Sequence, residues 1–392
     1  MKWETVKLEE CCTSITDGDH QAPPRAESGI PFIIISDINQ FNRIDFANAR
    51  FVPIDYFKAL DTKRKPKKGD LLYTVKGSFG IPVYVDSDEP FVFQRDIAIM
   101  KCNEKMNSKF LFYVMKSRAF YQIADALAIG SAQRAITLNT LKNMLVPMPP
   151  KALQDHIVQI LEPYDSLIEN NQKQIKLLEE AAQRLYKEWF IDLRFPGHES
   201  TPIHNGIPEG WERKSLGQIA NVVMGQSPKS EYYNSDKEGL PFHQGVGSYG
   251  NRFVADDVYS TSFTRIAEAG SILFSVRAPV GRLNITRNKI VIGRGIAAMN
   301  HKEGLQSLLF YMLKERFFKD NLVGNGSIFA SISKDELLGQ SFIVPATSIA
   351  HQYNDIASAI DKKIEAVDEE VLKLTEARDR LLPKLMSGEI EV

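Results

Sequence analysis

The chain repeats itself, and that repeat limits what it can fold into more than any other property. Trp3-Glu4 is answered by Trp211-Glu212, and Leu8 by Leu216. Gly29-Ile-Pro-Phe32 is answered by Gly239-Leu-Pro-Phe242, and Lys68-Gly-Asp-Leu-Leu-Tyr-Thr-Val-Lys76 by Ala269-Gly-Ser-Ile-Leu-Phe-Ser-Val-Arg277. Gly80 answers Gly281, Arg95-Asp-Ile-Ala-Ile-Met100 answers Arg294-Gly-Ile-Ala-Ala-Met299, and Leu111-Phe-Tyr113 answers Leu309-Phe-Tyr311. Gly130-Ser131 with Ile136-Thr137 answers Gly326-Ser327 with Ile332-Ser333. Order is kept while the offset drifts from 208 to 196, so loops of unequal length separate kept elements. Such a chain must build one plan twice.

Each globular half reads as mixed α/β. Val83–Val85 and Phe91–Met100 are short apolar runs bounded by Gly, Pro and Asp, which predicts strands. Phe110–Ile129 and Leu305–Leu322 have helical periodicity. Lys76-Gly-Ser-Phe-Gly80 and Gly245-Val-Gly-Ser-Tyr-Gly250 read as loops. Each half is followed by a helix with a heptad stripe. Its first copy carries Ile157, Leu161, Tyr164, Ile168, Asn171, Ile175, Leu178, Ala182, Leu185 and Trp189. Adding 196 gives Tyr353, Ala357, Ile360, Ile364, Val367, Val371, Leu374, Arg378, Leu381 and Leu385. A sustained 3.5-residue repeat is a coiled-coil seam. Pro163 should kink the first helix or end a shorter entry helix. Asn171 either sets register or is a tolerated polar residue, and Arg378 is expected near a solvated end. A Pro- and Gly-rich linker joins the halves. The expected segments are a first domain at 1–150, a helix at 151–195, a linker at 196–210, a second domain at 211–345 and a helix at 346–392.

Net charge is −1, but it is unevenly spread. Residues 1–150 carry 20 basic and 17 acidic side chains, and residues 205–345 carry 16 and 13. Residues 151–204 carry 6 and 9, and residues 346–392 carry 6 and 10. Two mildly basic domains therefore alternate with two acidic helices, which leaves room for an anion-binding face on each domain. Cys11, Cys12 and Cys102 lack metal spacing and are expected to be free thiols in a reducing compartment. No stretch is long and apolar enough for a membrane span, and no signal-peptide pattern opens the chain, so a soluble cytoplasmic protein is expected.

Catalytic motifs are missing. There is no Walker-type phosphate loop, and Gly293-Arg-Gly295 only partly matches a dinucleotide fingerprint. The seven histidines are scattered, and His198 and His204 fall in the linker, where exposure accounts for them. No metal ligand set, nucleophile elbow or Asn/Asp-Pro-Pro-Tyr/Phe motif of an amino-methyltransferase occurs.

The closing stretch Leu374-Thr-Glu-Ala-Arg-Asp-Arg-Leu-Leu-Pro-Lys-Leu-Met-Ser-Gly-Glu-Ile390 resembles the distal helix and tail of the specificity subunit of type I restriction–modification systems. Leu185-Tyr-Lys-Glu-Trp-Phe190 resembles the end of that family's central helix, and Gly225-Gln-Ser-Pro228 with Gly239-Leu-Pro-Phe242 the opening of a target recognition domain. The resemblance spans essentially the whole chain. It implies two α/β (α+β) target recognition domains and two long antiparallel coiled-coil spacer helices in a pseudo-two-fold layout. It implies a non-catalytic subunit that reads an asymmetric bipartite site on double-stranded DNA. It also implies partners: two modification (methyltransferase) subunits and motor-nuclease restriction subunits, which bring S-adenosylmethionine, ATP and Mg. Two domains on a stiff spacer suit half-sites about one helical turn, roughly 34 Å, apart. The acidic helices, being poor DNA surfaces, would be left for protein partners. A coiled-coil scaffold or regulator binding RNA or protein is the alternative.

Phosphate contacts need Lys, Arg or loop amides, and base contacts need Arg, Lys, Asn, Gln or Ser/Thr. Lys76 and Arg277, matched in the repeat, are the leading candidates. Ser78, Gln133, Arg134, Gln226, Ser227, Gln244, Tyr249 and Ser327 follow. Lys63, Arg64, Lys65, Lys67 and Lys68 form a basic run that either grips phosphates or is a solvated turn. Arg95 and Arg294, read as lying within strands, are expected in structural ion pairs.

Overall fold

The computed structural model describes residues 3–19, 21–39, 41–130, 134–317 and 331–390. The chain divides into two compact units, Met1–Asn170 with Glu370–Val392 and Asn171–Glu369. The boundaries therefore cut through both long helices instead of falling beside them. The reason is where apolar surface goes. A lone heptad helix cannot bury its own stripe, so each globular half extends its core onto it.

In the first unit a four-stranded antiparallel sheet runs Cys12–Asp17, Ile97–Cys102, Leu71–Thr74, Pro82–Tyr84. A second sheet pairs Ile30–Ile33 antiparallel with Arg50–Val52 and parallel with Val92–Phe93. The central strands are buried on both faces, and their side chains alternate between two cores. Leu71, Tyr73, Ala98 and Met100 join the core that includes Phe110, Leu111 and the helix residues Ile157, Leu161, Leu382 and Leu385. Leu72, Ile97 and Ile99 point the other way, onto Ile33, Phe91 and Phe93.

The second unit keeps this plan. Its four-stranded sheet runs Ala220–Met224, Ile296–His301, Ile272–Ser275, Leu283–Ile285. A five-stranded sheet holds Leu240–His243 parallel to Ile290–Ile292. Ile272, Phe274, Ala297 and Met299 face the larger core, whereas Leu273, Ile296 and Ala298 face the smaller one.

Two expected elements are broken by polar residues. The run Phe91–Met100 is two strands, Val92–Phe93 and Ile97–Cys102, separated by a turn at Arg95–Asp96. The helical stretch from Phe110 is Ser108–Lys116 and Arg118–Leu127. Ser117 divides it, because its hydroxyl donates to the Val114 carbonyl (2.6 Å) and accepts from the Phe120 N–H (3.3 Å). In the second half the matching helix is described over Gln306–Phe317. Cys12 and Cys102 face each other across paired strands, and all three thiols are free.

The central helix runs Lys151–Tyr186 and passes through Pro163 without ending. The carbonyl that Pro163 leaves without a donor belongs to Gln159, and both residues are exposed. The distal helix runs Thr347–Ser387. Ile168, Ile364 and Val367 are buried, and Asn171, Ile175, Leu178, Leu185, Val371, Leu374 and Leu381 are half-buried. The Nδ2 of Asn171 is buried and meets no hydrogen-bond partner among the described residues. Leucines outside the stripe, Leu167, Leu177 and Leu372, are 47%, 64% and 55% exposed. Ile364→Ala is accordingly expected to cost about 2–5 kcal/mol and Leu177→Ala less than about 0.5 kcal/mol, as read by urea unfolding.

Within each unit the helix segments run antiparallel. In the first, Leu161 shares a core with Leu382 and Leu385, while Asp165 meets Arg378 at 2.7 Å. In the second, the Tyr353 hydroxyl donates to the Ala182 carbonyl (3.2 Å), while Arg252 joins Glu179 to Asp361.

Arg378 thus does not sit at a solvated end. Its side chain is 11% exposed and paired with Asp165, which Lys116 also contacts at 3.4 Å. A low-dielectric carboxylate needs such partners. Burial pushes the Asp165 carboxyl up, but the Lys116 and Arg378 charges outweigh it and hold it below its usual range. The second unit repeats the motif with different cations. Tyr113 hydrogen bonds Asp165, and its counterpart Tyr311 donates to Asp361 at 2.8 Å. There Arg252, 2% exposed on its side chain, supplies the positive charge and stacks 4.4 Å from the Phe310 ring. Lys109–Glu162 and Arg43–Glu169 in the first unit, and Arg287–Asp368 in the second, are further pairs between globular part and helix. Part of the charge alternation along the chain therefore fastens each domain to its helices, and that part is not available to a ligand or a partner.

Candidate functional site

In the second unit five loops meet at one end of the two sheets. The strand Ala220–Met224 runs into Gly225, whose N–H donates to the Ile296 carbonyl (2.9 Å), and the next N–H, of Gln226, donates to Ile292 (2.9 Å). Gly293 N–H donates to His243 (2.8 Å), Gly295 N–H to Gln244 (3.0 Å) and Val276 N–H to Gly295 (2.9 Å). The Ile292 N–H donates to Arg265 (2.9 Å), and the Thr264 hydroxyl bonds the Gln226 carbonyl. Ser227 Oγ accepts the Arg294 N–H at 3.2 Å. The glycines are needed for this approach. A Cβ on Gly225 would lie 2.2 Å from the Gly293 carbonyl oxygen, and one on Gly295 2.4 Å from that of Gln244.

This stitching leaves Gln226, Gln244, Arg265, Arg277 and Arg294 exposed and Ser227 half-buried at the same end. Among the described residues no carboxylate pairs with Arg265, Arg277 or Arg294. Three free guanidiniums beside two carboxamides suit a polyanion with readable edges: the cations take phosphates, and the amides donate and accept to bases.

The loop 244–256 behind this end is fixed from inside. His243 is 1% exposed, its Nδ1 lies 2.8 Å from Ser248 Oγ, and its Nε2 lies 2.9 Å from Asp256 Oδ1. Asn288 Nδ2 donates to the other Asp256 oxygen at 2.8 Å. These are the side chains of a hydrolytic triad, but the histidine ring is enclosed and no substrate can approach it to exchange a proton. They act as a brace.

The equivalent end of the first unit has different electrostatics. Gly18 N–H donates to Ile97 (3.3 Å), Gln94 N–H to Ile33 (3.0 Å) and Val75 N–H to Asp96 (2.8 Å). Lys76 is half-buried and bridges to Ala135, and Ser78 is exposed. Here the arginines are matched by local carboxylates. Arg64 lies 3.7 Å from Asp17 and 3.8 Å from Asp19, Arg134 lies 3.2 Å from Asp125, and Arg95 lies 3.9 Å from Asp96.

Several sequence expectations change. The basic run does not form one cluster. Lys63 is exposed near Arg64, Lys65 donates to the Lys58 carbonyl (2.8 Å) over the Phe57 ring, and Lys67 and Lys68 lie at the far end of Leu71–Thr74 from Lys76. Tyr249 packs against the smaller core with its hydroxyl buried, which raises its pKa, so it is a packing residue rather than a reading one. Arg294 is not held in a strand ion pair. It sits exposed in the turn before Ile296–His301, and Arg95 occupies the matching turn. Arg265 was not singled out by the sequence. The flanking glycines of Gly293-Arg-Gly295 are the signal that marks Arg294 as a turn tip, whereas Arg265 carries no comparable mark. Gln133 and Ser327 lie outside the described residues.

Among the described residues no group of three or more His, Cys, Asp or Glu is placed to hold a metal, and no helix is long and apolar enough to cross a membrane. A model of the type I restriction modification DNA specificity domain matches residues 1–180 and 208–374. The chain is 28% identical over 410 residues to a putative type I restriction enzyme MjaX specificity subunit of Methanocaldococcus jannaschii, covering 100% of this chain and 94% of that one. It is 23% identical to the HindI specificity subunit of Haemophilus influenzae, over 93% of this chain and 95% of that one. The fold matches that of a solved type I restriction–modification S subunit from M. genitalium at a TM-score of 0.60 and 17% identity, over 98% of this chain and 96% of that one.

Proposed function

The chain belongs to the type I restriction modification DNA specificity family, and from that premise we propose that each unit reads one part of a split DNA site through the loop end described above. The observation that carries this is the stitched end of the second unit, where Arg265, Arg277 and Arg294 meet no carboxylate among the described residues and lie beside Gln226 and Gln244. The first unit reads with Lys76, Ser78 and neighbouring amides. Because the two ends share Arg95 and Arg294 but differ in their other candidates, Lys76 and Ser78 against Arg265, Arg277, Gln226 and Gln244, the two parts of the site differ and the site is not a palindrome.

The chain itself does no chemistry in this reading. It works in the cytoplasm with two modification subunits, which methylate adenine using S-adenosylmethionine, and with restriction subunits, which bring ATP and Mg to motor and nuclease work. The test is selection from a random duplex library with the modification subunits present, followed by sequencing. One split motif with unlike parts is expected; the absence of any enriched motif, or preference for RNA over duplex, overturns the reading. Purified chain alone, given S-adenosylmethionine and the selected duplex, is expected to transfer no methyl group in a tritium-transfer assay.

A further inference from the structure

We infer that His243 is a specificity-positioning residue: with Ser248 and Asp256 it fixes the loop that presents Gln244, and so sets the bases chosen by the second unit alone. The inference rests on the functional reading above. His243 ends the strand Leu240–His243, its carbonyl accepts from Gly293, and the next residue is the exposed Gln244. Its ring is the only side chain joining the start of the loop, at Ser248, to its return, at Asp256, among the described residues. Asp256 carries the tie on to Asn288, just before Ile290–Ile292. That strand runs into Gly293 and Arg294, so both sides of the reading end are held by one chain of hydrogen bonds that is buried at His243 and emerges at Asn288. Burial works against the Asp256 carboxylate, yet the bonds from His243 and Asn288 outweigh it and keep its pKa below the usual range.

The repeat supplies the control. Gly29-Ile-Pro-Phe32 matches Gly239-Leu-Pro-Phe242, so Ile33, fully buried among apolar neighbours, stands where His243 stands. At that position the first unit therefore has a side chain that cannot hydrogen bond, and disturbing His243 should leave its reading alone. A base contact depends on a donor or acceptor held to within a fraction of an ångström, so loosening the loop blurs choice before it weakens grip.

The experiment uses full chain with modification subunits and the random duplex library. His243→Ile substitutes the first-half residue, Ser248→Ala removes only the milder contact, and His243→Gln keeps a donor for Asp256. With His243→Ile, base preference is expected to fall about tenfold in one part of the split motif, the same part that Gln244→Ala disturbs. Ser248→Ala should lose less, and His243→Gln should restore part of it. The slope of log affinity against log salt should stay at the wild-type value, because the brace contacts no phosphate. Unchanged preference in both His243→Ile and Ser248→Ala overturns the inference, as does equal loss in both parts of the motif. A fall in salt slope does so too, since it would mean that the unit had unfolded. If wild-type chain enriches no split motif, the functional reading itself fails, and the inference falls with it.

Discussion

Arg252→Ala is expected to destabilise the second unit by about 3–5 kcal/mol, the cost of stranding buried carboxylates. Arg252 is 2% exposed, meets Asp361 at 2.5 Å and Glu179 at 3.3 Å, and stacks on Phe310. Its two carboxylate partners come from the two long helices, so its removal leaves Asp361 with the Tyr311 hydroxyl and opens a gap above the Phe310 ring. The guanidinium already carries one buried N–H, at Nε, that meets no partner among the described residues, so the site has little spare hydrogen bonding with which to adjust. Replacing the pair together, as Arg252→Met with Asp361→Leu, should cost less than Arg252→Ala alone, because the more buried carboxylate goes with its partner and only Glu179, 25% exposed, is left unpaired. Chemical unfolding of the two variants checks this. A loss below about 1 kcal/mol for Arg252→Ala would show that water screens the pair as at an exposed site.

The triple variant Arg265→Ala, Arg277→Ala, Arg294→Ala is expected to lower DNA affinity on the order of a hundredfold near physiological salt, with each lost phosphate contact reducing the salt slope by about 0.9. Fluorescence anisotropy across a salt series, with modification subunits present, reads both quantities. The same number of substitutions in the first unit, at Arg64, Arg95 and Arg134, should have a smaller effect on both. Those cations already face Asp17, Asp19, Asp96 and Asp125, so little of their charge is available to a phosphate. Equal effects in the two units would refute the idea that the second supplies the stronger electrostatic grip.

The sequence carried the periodic features well, because period is a property of the chain itself. The heptad stripe separates half-buried Leu178 from exposed Leu177, and the two-residue alternation of Ile97 to Met100 sorts those side chains between two cores. What it could not carry were contacts between distant segments. Arg378 looked like an end-of-helix residue because its partner, Asp165, lies more than 200 residues away in the chain. Lys63 to Lys68 looks like one patch in sequence, whereas the segment runs along the sheet, from Thr16 and Asp17 beside Lys63 and Arg64 to Lys101 beside Lys65, and carries Lys67 and Lys68 away from Lys63. Arg294 looked strand-bound because its apolar followers are; only the glycines on either side give the turn away. His243 was one of seven scattered histidines until the fold brought Ser248 and Asp256 to its two nitrogens.

The unequal cations on the matched Tyr–Asp pairs bear on which segments of this family can join. Asp165 is served by Lys116 from its own half and by Arg378 from the far end of the chain. The residue that the repeat puts in the place of Arg378 is Ala182. Were two copies of the first half to associate through their seams, each Asp165 would face an alanine and keep Lys116 as its one cation, with the Tyr113 hydrogen bond. The native pairing of unlike halves is thus favoured by a charge that the like pairing lacks. Ala182→Arg should narrow that difference, and in a fragment of residues 1–196 it should strengthen self-association, measurable by sedimentation. One residue would then govern whether such a fragment prefers its own kind or the other half of the chain.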